Sequence, residues 1–149
     1  MKIEKLYYFH AWFNKRCFGG DLEPAIIKTF SGDETFPDDP YSIEAQTTTY
    51  SDPIIIYFNS DLFFTDIGSD PDEVKNEELC FLTVLLHEMC HQYNAECGVC
   101  DVDFDGTHLD AFLEVSEGCG MVKSGYALGQ ELEKLVLEEM EKYDLHTSY

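Results

Sequence analysis

Residues 84 to 93 read Val-Leu-Leu-His-Glu-Met-Cys-His-Gln-Tyr, which sets His87 and His91 four positions apart with Glu88 beside the first of them. On a helix, residues i and i+4 share a face, so the two imidazoles can offer nitrogens to one divalent ion at about 2.0–2.1 Å. Glu88 cannot easily ligate that ion from the same turn. It can, however, reach a water at an open coordination position and take its proton. The spacing thus separates ion binding from proton transfer, and the chemistry expected is peptide-bond hydrolysis with Glu88 as general base. Without an ion, two histidines and a glutamate on a buried helix would each need some other polar partner.

A catalytic zinc usually takes three protein ligands and keeps one exchangeable position, so a third group must come from outside this helix. The extended HExxHxxGxxH pattern fails, because Asn94 and Cys97 stand where its glycine and third histidine would be. His108 is the preferred third ligand over Asp110, Glu114 and Glu117. It follows the turn-rich stretch Asp101-Val102-Asp103-Phe104-Asp105-Gly106-Thr107, which can bring the chain back over the ion. Cys97 and Cys100 form a CxxC, but a structural zinc site would need two more ligands from Cys80, Cys90 or Cys119, and ordinary reduced thiols are the simpler expectation. His10 is expected to be a packing residue, and His146 falls in the tail. The nine tyrosines, Tyr93 and Tyr126 among them, are available as oxyanion donors, with no sequence signal to choose among them, and the role is left unassigned.

These residues need a scaffold. Ile3, Leu6, Tyr7, His10, Phe13 and Asn14 recur at helical spacing and the run ends at Phe18-Gly19-Gly20, so the first element is an amphipathic helix. Ala25 to Phe30 reads as a short strand, followed by a polar loop with Gly32, Pro37, Asp38, Asp39 and Pro40 that is the expected mobile segment. Ile43 to Tyr50 and Ile54 to Asn59, separated by Ser51-Asp52-Pro53, read as a hairpin-like pair of strands, either of which can supply an edge for an extended peptide. The segment from Asp72 to Glu96 is helical in pattern and apolar on nearly every side between Leu79 and Cys90, so it should run through the core. A short helix is expected from about Thr107, capped by Asp105 or Thr107. Gln130 to Tyr143 should form a last amphipathic helix with Leu132, Leu135 and Met140 inward. The fold class expected is α+β: one domain over residues 1–149, with a small, mostly antiparallel sheet packed on the HExxH helix and flanking helices on either side.

At 149 residues with 44% apolar content the chain can build one hydrophobic core, so a single domain is the default. Thirty acidic against nine basic residues give a formal charge of −21, which repels phosphate backbones and acidic lipid and favours basic partners; direct nucleic-acid binding by this chain is not expected. The N-terminal residues form no apolar signal core and no run is long enough to span a bilayer. Six cysteines without such a signal agree with a reducing, cytoplasmic setting.

Three segments taken together resemble the SprT-like zinc metalloproteases in order and spacing: Phe13-Asn14 through Phe18-Gly19-Gly20-Asp21-Leu22, the His87-Glu88-Met89-Cys90-His91 helix, and His108-Leu109-Asp110-Ala111-Phe112. The similarity spans most of residues 6 to 115. It implies a zincin-like, gluzincin-like domain in which a helix and a small sheet precede the HExxH helix and a later HGxxF-type segment supplies the third histidine. His108 and Phe112 match that segment, while Leu109 stands in place of its usual glycine. Many members of that family act on DNA-attached proteins through basic surfaces or a zinc ribbon. This acidic chain shares the peptidase motif and not those features. The expectation is a zinc peptidase holding Zn2+ on His87, His91 and His108 and acting on a protein or peptide substrate, a basic one by charge. The alternative is an acidic adaptor or DNA-mimicking protein with a vestigial metal site.

Overall fold

The structure is a computed structural model that describes residues 1–30, 45–48, 51–59 and 70–147. The polar loop between Gly32 and Pro40, with its expected mobility, lies outside the described residues. Helix α1 (Ile3–Cys17) forms where the helical spacing places it and buries Leu6, Phe9 and Phe13 completely. Lys15 and Arg16 in its last turn oppose the partial negative charge of the helix end. Asn14 then fixes the exit: its Nδ2 donates to the Leu22 carbonyl and its Oδ1 accepts from the Leu22 N–H, both at 3.0 Å.

Strands β1 (Ile26–Phe30), β2 (Ala45–Thr47) and β3 (Ile55–Asn59) make a sheet in the order β1-β3-β2. The expected pair is present, with β2 antiparallel to β3 from Ala45 opposite Phe58 to Thr47 opposite Ile56. β1 joins the other side of β3 in parallel, Ile26 opposite Ile55 through Phe30 opposite Asn59. Because β3 is central, Ile55–Asn59 is not an edge strand, and of the two strands considered for substrate alignment only β2 has that position among the described residues.

Helix α2 (Pro71–Glu96) is capped by Asp70, whose Oδ1 accepts from the Asp72 N–H at 2.9 Å, and Pro71 in the first turn needs no intrahelical donor partner. Its 26 residues extend for about 39 Å. The second half is apolar on several faces because it has several neighbours: Phe81, Leu82, Leu85, Leu86 and Met89 are fully buried, with α1, β2 and helix α3 (Asp110–Gly118) packed around them. Each such Phe or Leu contributes about 1.5–3 kcal/mol by leaving water. Gln92, also fully buried, ties three segments: it accepts from His10 Nε2 at 2.8 Å and donates to the Glu23 carbonyl at 2.8 Å and to Glu96 at 2.7 Å. His10 is thus the packing residue expected of it.

Two helix assignments need correction. α3 starts at Asp110, with Leu109 at its cap and no side-chain capping bond, rather than near Thr107. Asp105 accepts from the Thr107 N–H at 3.0 Å, so its carboxylate closes a turn ahead of the helix instead of capping it. In the last helix, α4 (Gln130–Thr147), the buried stripe is Leu132, Val136 and Met140, spaced four apart, and Leu135 is only half-buried. Between α3 and α4 lies a small antiparallel pair, β4 (Met121–Val122) and β5 (Ala127–Leu128), joined by a tight turn at Lys123–Gly125. α4 is pinned to the rest through Lys5, which is 4% exposed and pairs with Glu78 at 2.9 Å and Asp144 at 3.0 Å. Among the described residues no helix is long and apolar enough to cross a membrane.

Candidate metal centre

His87 and His91 project from one face of α2, as their spacing requires, and His108 meets them from the following hairpin. That hairpin is built by its turn residues. Val102 pairs with His108 in an antiparallel bridge, Asp103 donates its N–H to the Thr107 carbonyl at 2.8 Å, and Leu109 N–H binds the Asp101 carbonyl at 2.8 Å. The three imidazole centroids form a nearly equilateral triangle of 5.1 Å (His87–His91), 5.0 Å (His87–His108) and 5.1 Å (His91–His108). One nitrogen from each lies within 4.8 Å of the others. A tetrahedral ion at about 2.0–2.1 Å from each nitrogen needs them about 3.3 Å apart, so a small inward adjustment completes a three-nitrogen face. Asp110, Glu114 and Glu117, the rival third ligands, are exposed on α3 and outside this group.

The rings rest on a common floor. Phe112 is fully buried and its ring lies 4.6 Å from that of His87, 4.4 Å from His91 and 4.3 Å from His108, stacked on the last two. The polar partners then set the tautomers. His87 Nδ1–H donates to the Gly125 carbonyl at 2.7 Å, and His91 Nδ1–H donates to Asp101 Oδ2 at 2.8 Å. Since a carbonyl and a carboxylate only accept, each Nδ1 carries the proton and each Nε2 keeps a lone pair for an ion, the usual arrangement behind metal-bound histidine. Asp101 is 3% exposed and is itself held by Asn94 Nδ2 at 3.0 Å. Burial pushes the His87 imidazole down to about 4, and burial with the nearby His91 lowers His108, so both are neutral at pH 7, as ligation demands. Burial alone would raise the Asp101 carboxyl, but its bonds from His91 and Asn94 outweigh that and lower it.

Glu88 stands at the edge of the triangle. Its Oε2 is 3.9 Å from His87 Nε2, the nitrogen left for an ion, and its Oε1 accepts from Thr47 Oγ1 at 2.9 Å. Thr47 also lies 3.2 Å from the Glu88 backbone carbonyl, so strand β2 is tied to the helix at the carboxylate. Among the tyrosines left open by the sequence, Tyr126 has its hydroxyl 3.3 Å from His108 Nδ1, whereas Tyr93 stacks on Phe18 at 5.5 Å.

Sequence reasoning missed Asp101, Thr47 and the Lys123–Gly125 turn. Asp101 reads as a turn former, and Thr47 is one of three consecutive threonines. The turn holds three consecutive residues at positive φ, Lys123 (52°), Ser124 (57°) and Gly125 (85°), a strained geometry that non-glycine residues rarely adopt. A Cβ at Gly125 would meet Phe112 Cε1 at 2.7 Å, so only glycine lets this carbonyl reach His87 over the Phe112 ring. The CxxC gathers no ligands: among the described residues His87, His91 and His108 form the sole group that could hold an ion, and no disulfide joins the cysteines. Comparison of the chain with protein-family models, curated proteins and solved structures gives no match, so the functional argument rests on this geometry.

Proposed function

We propose that this chain is a zinc-dependent peptidase of zincin-like architecture, with His87, His91 and His108 as ligands and Glu88 as general base. The observation that carries the reading is the convergence of three imidazoles with a carboxylate 3.9 Å from one of their offered nitrogens. Zinc suits an all-imidazole set of this size, and when bound it would supply Lewis acidity toward a peptide carbonyl and toward water.

The chain's own groups do the rest. Glu88 takes the proton of the attacking water and returns it to the leaving amine, and the Thr47 hydroxyl holds one carboxylate oxygen so that the other faces the site. The Tyr126 hydroxyl, beside His108, is the donor best situated to bind the oxygen of the reacting carbonyl. β2 lies at the sheet edge among the described residues, and a peptide pairing along it would run past Glu88 with backbone hydrogen bonds that ignore side-chain identity.

The test is the isosteric variant Glu88→Gln, assayed against a permanently unfolded protein substrate beside wild type. Wild type should bind one zinc per chain and cleave the substrate, and Glu88→Gln should keep its zinc and lose nearly all cleavage. Zinc retained by both proteins with no cleavage by either would defeat the peptidase reading and leave the acidic adaptor in its place.

A further inference from the structure

One turn of α2 before His87, the same helix face continues past Thr83 to Leu79 and opens into a recess of about 370 Å³. Its walls are Leu79, Thr83 and Val84 from α2, and Tyr126 and Leu128 from the β4–β5 segment, with Glu133 of α4 at its border. Tyr126 belongs to both places: its hydroxyl is beside His108 and its residue walls the recess. The offset from Thr83 to His87 is about 6 Å along the helix, less than two residues of extended peptide. A side chain next to a bond held at the three histidines therefore reaches this recess.

The lining chooses among side chains. Leu79, Val84 and Leu128 offer apolar surface, whereas the half-buried Glu133 offers a carboxylate with no Lys or Arg among the described residues within ion-pair distance. Lys75 and Lys134 line a second recess to which Glu133 also belongs, and neither forms an ion pair with it. A wholly apolar side chain would cover the walls but take water from the carboxylate and give nothing back. A lysine or arginine side chain lays its methylene stem along the walls and brings its cation to the carboxylate. The charge of −21 draws basic segments toward the surface in the first place.

We infer that this recess is a subsite for a lysine or arginine side chain flanking the scissile bond, with Glu133 as its charge partner. The inference rests on the peptidase reading for the word scissile, but its test does not depend on hydrolysis. Labelled octapeptides of glycine, serine and alanine, identical except for Lys, norleucine or Gly at one central position, are titrated by fluorescence anisotropy into zinc-loaded Glu88→Gln protein. The Lys peptide should bind roughly fivefold tighter than the norleucine peptide, the scale of a partly exposed ion pair, and norleucine tighter than Gly. Adding Glu133→Gln should erase the Lys preference and spare that of norleucine over Gly. Glu138→Gln, the same charge change elsewhere on α4, should alter neither. Thr83→Phe, which fills the recess, should bring all three peptides to the level of Gly. Equal binding of Lys and norleucine, a preference that survives Glu133→Gln, or no binding of any peptide would overturn the subsite. Absence of cleavage by wild type alongside the expected binding pattern would count against the peptidase reading alone.

Discussion

Replacing Gly125 by alanine perturbs the centre without touching a ligand, and its cost can be worked from two separate sources. The first is backbone: Gly125 has φ of 85°, and a Cβ in that region costs about 1–2 kcal/mol. The second is steric. The new methyl would lie 2.7 Å from Phe112 Cε1, 3.0 Å from its Cζ and 3.3 Å from Ser116 Cβ, and the Phe112 ring is fully buried beneath three imidazoles. The ring cannot yield without moving them, so overpacking of about 1–3 kcal/mol is added. Gly98→Ala provides the control, with φ of 72° and nothing within 4 Å of the added Cβ. Gly125→Ala should therefore lose about 2–5 kcal/mol in denaturant titrations of the metal-free protein, against about 1–2 kcal/mol for Gly98→Ala. Zinc affinity, measured by competition with a chromophoric chelator, should fall by about 10–100-fold in Gly125→Ala only, since the Gly125 carbonyl also orients His87. If the two variants match in stability and in zinc affinity, the idea that the Lys123–Gly125 turn and Phe112 shape the centre is wrong.

Two further outcomes follow from the polar partners. Asp101→Ala should weaken zinc binding by about 10–100-fold while leaving one ion per chain at saturation, because His91 loses the acceptor that fixes its tautomer; an unchanged affinity in the same competition assay would remove Asp101 from the site. The metal-free protein should also lose stability in acid through His87. Its folded-state value of about 4 lies below the ordinary 6.5, so the unfolded chain protonates first: the contribution is complete above pH 6.5 and is lost as pH falls toward 4. The loss amounts to on the order of 3 kcal/mol, in addition to that from protonating carboxylates. Denaturation midpoints of wild type and His87→Gln at pH 7 and pH 4.5 should converge in slope only if this is mistaken.

What could be read from the sequence was what depends on short spacing. His87, Glu88 and His91 fall where a 3.6-residue period puts them, and the Asp101–Thr107 turn residues do return the chain so that His108 meets the pair. The strand pair flanking Ser51-Asp52-Pro53 was legible for the same reason. The parallel pairing of β1 with β3 was not, because alternation along a strand says nothing about its partner's direction. Val136 in place of Leu135 on the buried face of α4 is a phase difference of one residue, set by what the helix packs on rather than by its own pattern. Asp101, Thr47 and Gly125 act on the site from 10, 41 and 38 residues away along the chain, and nothing local distinguishes them from turn formers or strand residues. Asp105 shows the converse: a residue with good capping chemistry spent on a turn two residues away.

The most direct measurement is zinc K-edge absorption with metal analysis on the full chain, after dialysis against a weak chelator, for wild type, His108→Ala, Asp110→Ala and Glu114→Ala. The expected result is one zinc per chain in wild type, with three imidazole nitrogens at about 2.0–2.1 Å and no sulfur. Zinc should be retained in both acidic variants and lost in His108→Ala. Sulfur among the ligands, or zinc kept by His108→Ala and lost from either acidic variant, would contradict a centre built from His87, His91 and His108.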